Sequence, residues 1–212
     1  MADDLKYGYK GAEPTQSFGN NTGVFDPYDI NNLIADNKWT SFGQLELIET
    51  QTASNVANLD FTDIKEDIYN VHFLTGTNID YSSTSVSSLS IRFFENGTLE
   101  SASVYQFAYQ RCGAGGTFTE TKSTGYSSLR LTTAQQQNEK GNGYAYFYNL
   151  GDSTKYSFQT MHSTLENSSN VYEAQFGSGV LPQASTVDKI RLFDINGDNI
   201  YGTFSLYGIR YS

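Results

Sequence analysis

The sequence predicts an all-β protein: a jelly-roll-like antiparallel β-sandwich, preceded by an extended N-terminal arm and one short helix. Three observations carry that expectation. From Gly43 onward, apolar and polar residues alternate with period two in short runs. The runs are rich in Tyr, Phe, Ile, Val and Thr, the residues suited to a pleated, half-buried surface. Turn residues separate them at short intervals, which is the grammar of a sandwich. The 212 residues and 23.5 kDa fit one domain with a small appendage. A chain of that size buries roughly 70% of the surface its unfolded form exposes.

Residues 1–25 read as the arm. Tyr7-Gly8-Tyr9-Lys10-Gly11 and Pro14-Thr15-Gln16-Ser17-Phe18-Gly19-Asn20-Asn21 mix glycine, asparagine and isolated aromatics without a sustained period. Such a segment has little core of its own. A helix signal follows. Asp26 suits a cap, Pro27 the first helical position, and Asp29 the electropositive first turn. Ile30, Leu33 and Ile34 share one helical face, and the helix is expected to end near Asn37.

The strands then come in order. They begin with Gln44–Thr50, Val71–Phe73, Leu89–Phe93 and Leu129–Leu131. Tyr144–Tyr148, Tyr156–Phe158 and Val171–Ala174 follow, and Ile190–Phe193 and Phe204–Ile209 close the chain. Together they suggest about ten strands with short connections. Glu95-Asn96-Gly97-Thr98 is a hairpin signal, because Asn-Gly accepts the positive φ of a type I′ turn. Asn149-Leu150-Gly151-Asp152 and Asn196-Gly197-Asp198 look similar. Two polar stretches, Cys112–Thr117 and the Gln-rich Ala134–Gly143, are expected as exposed loops at the ends of the sandwich.

Composition removes several kinds of chemistry. With 13 basic against 23 acidic residues the net charge is −10, which opposes a nucleic-acid partner. The single cysteine, Cys112, forms no internal disulfide. The two histidines, His72 and His162, are far apart, and no HExxH, CxxC, P-loop or GxGxxG occurs. Met1-Ala2-Asp3-Asp4 is acidic and leads into no apolar core, so it does not read as a secretory signal. No apolar run of about 18 residues is present, so membrane insertion is not expected. The Asn-x-Ser/Thr triplets at Asn20, Asn96 and Asn167 carry little meaning without secretion.

The remaining candidates each have a bland explanation. Asp194-Ile195-Asn196-Gly197-Asp198 places oxygen side chains at alternate positions, as the start of a calcium loop does, but no Glu follows at position twelve. A hairpin turn accounts for it. Gly177-Ser178-Gly179 falls short of a nucleophile elbow. Cys112 has Arg111 beside it but no histidine near in sequence, so a bystander thiol is expected. Glu46, Glu49, Asp60, Glu66, Asp67 and Glu173 are the carboxylates available to a glycosidase, and nothing in the sequence pairs them. Tyr144, Tyr146 and Tyr148 share one strand face, expected to meet the core or a subunit interface rather than a sugar.

A more particular likeness lies in the order of the segments. Leu45-Glu46-Leu47-Ile48-Glu49-Thr50-Gln51-Thr52-Ala53-Ser54, followed by Leu59-Asp60-Phe61-Thr62, resembles the opening of a β-sandwich module from structural proteins of tailed phages, marine ones especially. Tyr69-Asn70-Val71-His72-Phe73 resembles its second block, and Ile91-Arg92-Phe93-Phe94-Glu95-Asn96-Gly97 its hairpin. The ending is the most distinctive: Val187-Asp188-Lys189-Ile190-Arg191-Leu192-Phe193, a Gly turn, then Gly202-Thr203-Phe204-Ser205-Leu206-Tyr207-Gly208-Ile209.

The resemblance implies a non-enzymatic virion protein, a tail-fibre or appendage subunit or a capsid-decoration protein. It implies no catalytic, cofactor-binding or metal-binding residues and no cofactor. Residues 1–42 are then expected to anchor or oligomerise, and residues 43–212 to form the outward module. The expected partners are other virion proteins, further copies of the chain as a homo-oligomer, a trimer, and a cell-surface glycan if the module serves host adhesion. A trimer would bury Tyr and Phe side chains that one small sandwich does not readily hide. The competing expectation is a carbohydrate-binding, lectin-like adhesion module. It would use the loops near Gly115 and Gln136, with Phe118 or Tyr126 as stacking aromatics.

Overall fold

The computed structural model describes residues 27–35, 45–133, 135, 137–167 and 169–209. The chain divides into two units, Met1–Gln44 with Ser212, and Leu45–Tyr211. In the first, helix α1 spans Pro27–Ala35, with proline at its first position. The arm, the Asp26 cap and the stretch 36–44 lie outside the described residues.

The second unit contains thirteen strands and no helix among its described residues. They are β1 (Leu45–Val56), β2 (Asn58–Phe61), β3 (Val71–Tyr81), β4 (Leu89–Glu95), β5 (Thr98–Leu99), β6 (Tyr105–Gly113) and β7 (Phe118–Tyr126). Then follow β8 (Leu129–Arg130), β9 (Gly141–Tyr148), β10 (Ser157–Glu166), β11 (Tyr172–Leu181), β12 (Val187–Asp194) and β13 (Ile200–Ile209). They form a sandwich of two antiparallel sheets. The larger runs β1-β13-β3-β9-β10-β11-β6-β7. The smaller runs β2-β12-β4-β5, with β8 also paired to β4.

The connectivity is that of a jelly roll. Strand β1 pairs β13, β2 pairs β12, β3 pairs β9 and β4 pairs β8. These are the four rungs of one long antiparallel ribbon, wrapped so that successive rungs fall in alternate sheets. Two insertions enlarge it. Strands β6 and β7 enter between β4 and β8, and β10 and β11 enter between β9 and β12. All four join the larger sheet and double its width from four strands to eight.

Between the sheets lies the apolar core. Phe61, Ile91, Phe93, Ile190 and Leu192 come from the smaller sheet. Leu74, Ala145, Phe147, Phe204 and Leu206 come from the larger. Phe93 and Phe147 meet edge to face across the gap, with ring centroids 5.7 Å apart. Under the inserted strands the packing is mixed: Tyr105, Phe107, Met161 and Leu181 continue the apolar core, and polar side chains are buried beside them. Gln159, Ser163, Glu173 and Gln175 are buried there. Gln175 donates its amide to the Thr133 carbonyl at 2.9 Å and accepts the Thr133 N–H at 3.0 Å. Gln159 donates to the Arg130 carbonyl at 2.8 Å. Side-chain amides thus satisfy the backbone of the segment beneath, which has no full strand partner.

Local geometry follows the turn chemistry. Asn96 and Gly97 both have positive φ, 48° and 82°, as a type I′ hairpin requires. Asn55 and Asn78 also have positive φ and sit at register shifts of β1 and β3.

Three expectations need correction. The sequence patterns predict no strand between Phe94 and Leu129, where β6 and β7 lie. The stretch Ala134–Gly143 is not an exposed loop throughout: Gln135 is fully buried and donates to the carbonyls of Ile79 and Glu139. Its last residues, Gly141–Gly143, already belong to β9. Likewise Cys112 and Gly113 belong to β6, so the exposed loop there is shorter.

Candidate functional site

The outer face of the larger sheet is its most distinctive surface. Residues directly opposite in antiparallel strands share a face, so the registers give its rows. One row runs Leu45, Ile209, Val71, Tyr148, Phe158, Val180. The next begins Leu47, Tyr207, Phe73, Tyr146. A third includes Thr75, Tyr144, His162 and Phe176. Threonine and serine fill the positions around them: Thr50, Thr52, Ser205, Thr203, Thr160, Thr164 and Ser178.

Two properties set this face apart. First, it exposes large apolar groups: Leu47 is 58% exposed, Phe176 46%, Phe158 44% and Tyr144 39%. Second, none of the residues in these rows is Lys, Arg, Asp or Glu, in a chain carrying 23 acids and 13 bases. Charge returns at the margins, with Glu166 at the end of β10 and the Glu120–Lys122 pair on edge strand β7.

The aromatics pack against one another. Phe73 lies 4.6 Å from Tyr146, 5.8 Å from Tyr144 and 6.1 Å from Tyr207, ring centre to ring centre. Tyr144 meets His162 edge to face, with its hydroxyl 3.3 Å from Nδ1. Two shallow grooves cross the surface. One of about 330 Å³ lies beside Phe73, Tyr144, His162 and Asn142. The other, about 630 Å³, lies between Phe158, Val180, Ala108 and Lys122. Tyr144, Tyr146 and Tyr148 therefore face outward and not into the core; Ala145 and Phe147 supply the core side of β9.

The residues that the sequence offers for chemistry are dispersed. His72 and His162 lie on opposite faces of the larger sheet. His72 is fully buried, with Nε2 2.8 Å from the Ile64 carbonyl, and burial lowers its pKa to about 4. Cys112 faces outward opposite Ala174, whereas Arg111 turns inward to Glu173 at 3.6 Å. Ser178 sits in the middle of β11. A Cβ at Gly177 would lie 2.4 Å from the Ala108 carbonyl oxygen, so that glycine serves strand packing and not an elbow.

Of the six carboxylates named from the sequence, Asp60, Glu46 and Glu173 have structural partners. Asp60 forms a fork with Arg191 at 2.7 and 2.6 Å. Glu46 accepts from the Tyr69 hydroxyl at 2.7 Å, and Glu173 from Asn167 at 2.8 Å. Asp194 accepts the backbone N–H groups of Ser88, Asn196 and Asp198. Asp198 accepts from the Ser87 hydroxyl. Their oxygens close the β12–β13 turn, which is not the expected hairpin: β12 lies in the smaller sheet and β13 in the larger, so the turn carries the chain from one sheet to the other. Among the described residues no group of three His, Cys, Asp or Glu is placed to hold a metal ion.

One pair of carboxylates does come together, and sequence reasoning missed it. Glu95 and Glu100 flank the Asn96-Gly97 hairpin. Burial first, then the nearby Glu100 charge, hold the Glu95 carboxyl above its usual range. Ser185 donates to Glu95, and the Gln183 amide, turned nitrogen-first, donates to Glu95 at 2.6 Å and to Glu100 at 3.1 Å. The signal was present, since Glu100 lies two residues beyond Thr98, the cross-strand partner of Glu95, and so meets Glu95 diagonally.

The loops proposed for a lectin are not alike. Phe118 is 69% exposed, while Tyr126 packs edge to face on Phe107 and under the Arg130 guanidinium. Gln136 lies outside the described residues. No family model matches the chain, and neither a curated protein nor a solved structure is similar to it.

Proposed function

We propose that the chain is a non-enzymatic structural subunit displayed on a tailed-phage particle, in a tail fibre or appendage or as capsid decoration. The jelly-roll ribbon, widened on one side into an uncharged aromatic face, is the observation that carries this reading. Jelly rolls serve in capsids and in lectins, so the fold alone is an analogy. The face adds residue-level support: a broad apolar surface rimmed by polar residues marks a protein contact. The order of phage-like segments along the chain supports the same reading. In it, residues 1–42 anchor the subunit or join copies of it, other virion proteins are its partners, and the oligomer is a trimer.

A digest of purified particles of the encoding phage is expected to contain peptides of this chain at structural stoichiometry. Deleting residues 1–25 is expected to leave a folded sandwich that no longer joins the particle. Absence of the peptides from intact particles would overturn the assignment. The groove beside Phe73, Tyr144 and Asn142 favours a second reading, a glycan-binding adhesion module. Binding of a neutral oligosaccharide that is lost on Tyr144→Ala would select it.

A further inference from the structure

We infer that the outer face of the larger sheet is the contact surface for a second copy of this same chain. The inference deepens the oligomer of the virion reading by naming the surface through which copies meet; a monomer in solution would overturn it and leave the virion assignment to its own test.

Three observations point to a second copy. The first is charge. Two chains of net charge −10 repel wherever their acids are brought together. The registers of seven strands, β1 through β6 in sheet order, lay out a face with no Lys, Arg, Asp or Glu in its central rows. Two copies can meet there without burying a like-charged pair.

The second is area. Seven strands spaced about 4.8 Å apart, with outward rows covering about eight residues at 3.4 Å each, give a footprint of roughly 900 Å². A stable complex needs about 800 Å² per partner. The composition is that of an interface centre: Leu47, Phe73, Tyr146 and Phe158 surrounded by hydroxyl residues, with the charges of Glu166 and Lys122 at the rim.

The third is ring geometry. A sugar stacks on a free aromatic face. Phe73 instead lies within 6.1 Å of Tyr144, Tyr146 and Tyr207, each at a tilted angle, so the rings form a corrugated apolar surface and not one flat free face. That surface suits interdigitation with its own kind better than a pyranose ring. The sheet edges are less suited to pairing. Edge strand β1 carries two register shifts and β7 exposes Glu120 and Lys122. Association therefore uses the face.

The test is the mass of the full chain in solution at micromolar concentration, by light scattering or sedimentation. The wild-type mass is expected to be at least twice 23.5 kDa. L47E and Y144E, both at exposed positions, are expected to lower it with an unchanged far-UV spectrum. I68E, an exposed position outside the larger sheet, is expected to keep the wild-type mass. If Y144E does not fold, F158K on the same face reads the same contact. A monomeric wild type overturns the inference, and so do face variants that remain as associated as the wild type. A monomer that binds a neutral oligosaccharide, with loss on Tyr144→Ala, overturns it in favour of a sugar.

Discussion

His72 occupies a fully buried position on the inner face of β3, with Nε2 directed at the Ile64 carbonyl. Burial lowers its pKa from 6.5 to about 4. Protonation therefore favours the unfolded chain, where the imidazole regains water. The stability tied to the neutral ring is fully present above about pH 6.5 and is lost as pH falls through that range toward 4, by roughly 3 kcal/mol. Denaturant midpoints of the wild type are expected to drop over this interval, and His72→Gln to show a smaller drop. Equal acid sensitivity in both would contradict the assignment. At the β12–β13 turn, Asp194 directs its oxygens to three backbone N–H groups. Asp194→Ala is expected to cost about 2 kcal/mol, while added calcium or a chelator leaves the melting temperature unchanged. A calcium-dependent rise in that temperature would reinstate a cation site. The turn was legible as a turn because Asp, Asn and Gly stand in order. The burial of His72 was not, because a histidine flanked by Val71 and Phe73 reads the same on either face.

At the scale of elements, period two identifies a strand but not which face is inside. Strand β9 has aromatics on both faces, with Tyr144, Tyr146 and Tyr148 against Phe147, so its alternation carries no sign. Strand β6 buries Tyr105, Phe107 and Tyr109 at alternate positions. That pattern was available in the sequence. Strand β7, Thr-Glu-Thr-Lys at its centre, has no apolar face to betray it; it is held by pairing to β6. The inserted strands depend on close backbone approach and on amide side chains. Gly177→Ala would bring a Cβ to 2.4 Å from the Ala108 carbonyl oxygen, and a loss of about 2–3 kcal/mol is expected on unfolding. Gln175→Leu removes both bonds to Thr133 and leaves a buried N–H and C=O without partners. It is expected to cost about 2–3 kcal/mol and to speed amide exchange at Thr133. Unchanged exchange there would show that the side chain does not pin the segment.

For the whole molecule, the fold class was legible because short aromatic strands and Asn-Gly turns recur along the chain. The ribbon was not, because its outer rungs join residues such as Leu45 and Ile209 from opposite ends of the domain, and local patterns carry no such pairing. Nor was the uncharged face, which exists only once seven strands lie side by side. With that face the molecule is a jelly roll whose insertions widen one sheet into a broad uncharged aromatic surface, the one proposed above for assembly. The most direct measurement of the proposed role is gold labelling of intact phage particles with an antibody to the recombinant chain, viewed by electron microscopy. Label is expected on the particle, over the capsid faces for a decoration protein or along the tail and fibres for an appendage. Unlabelled particles, with the protein confined to the lysate, would contradict that role.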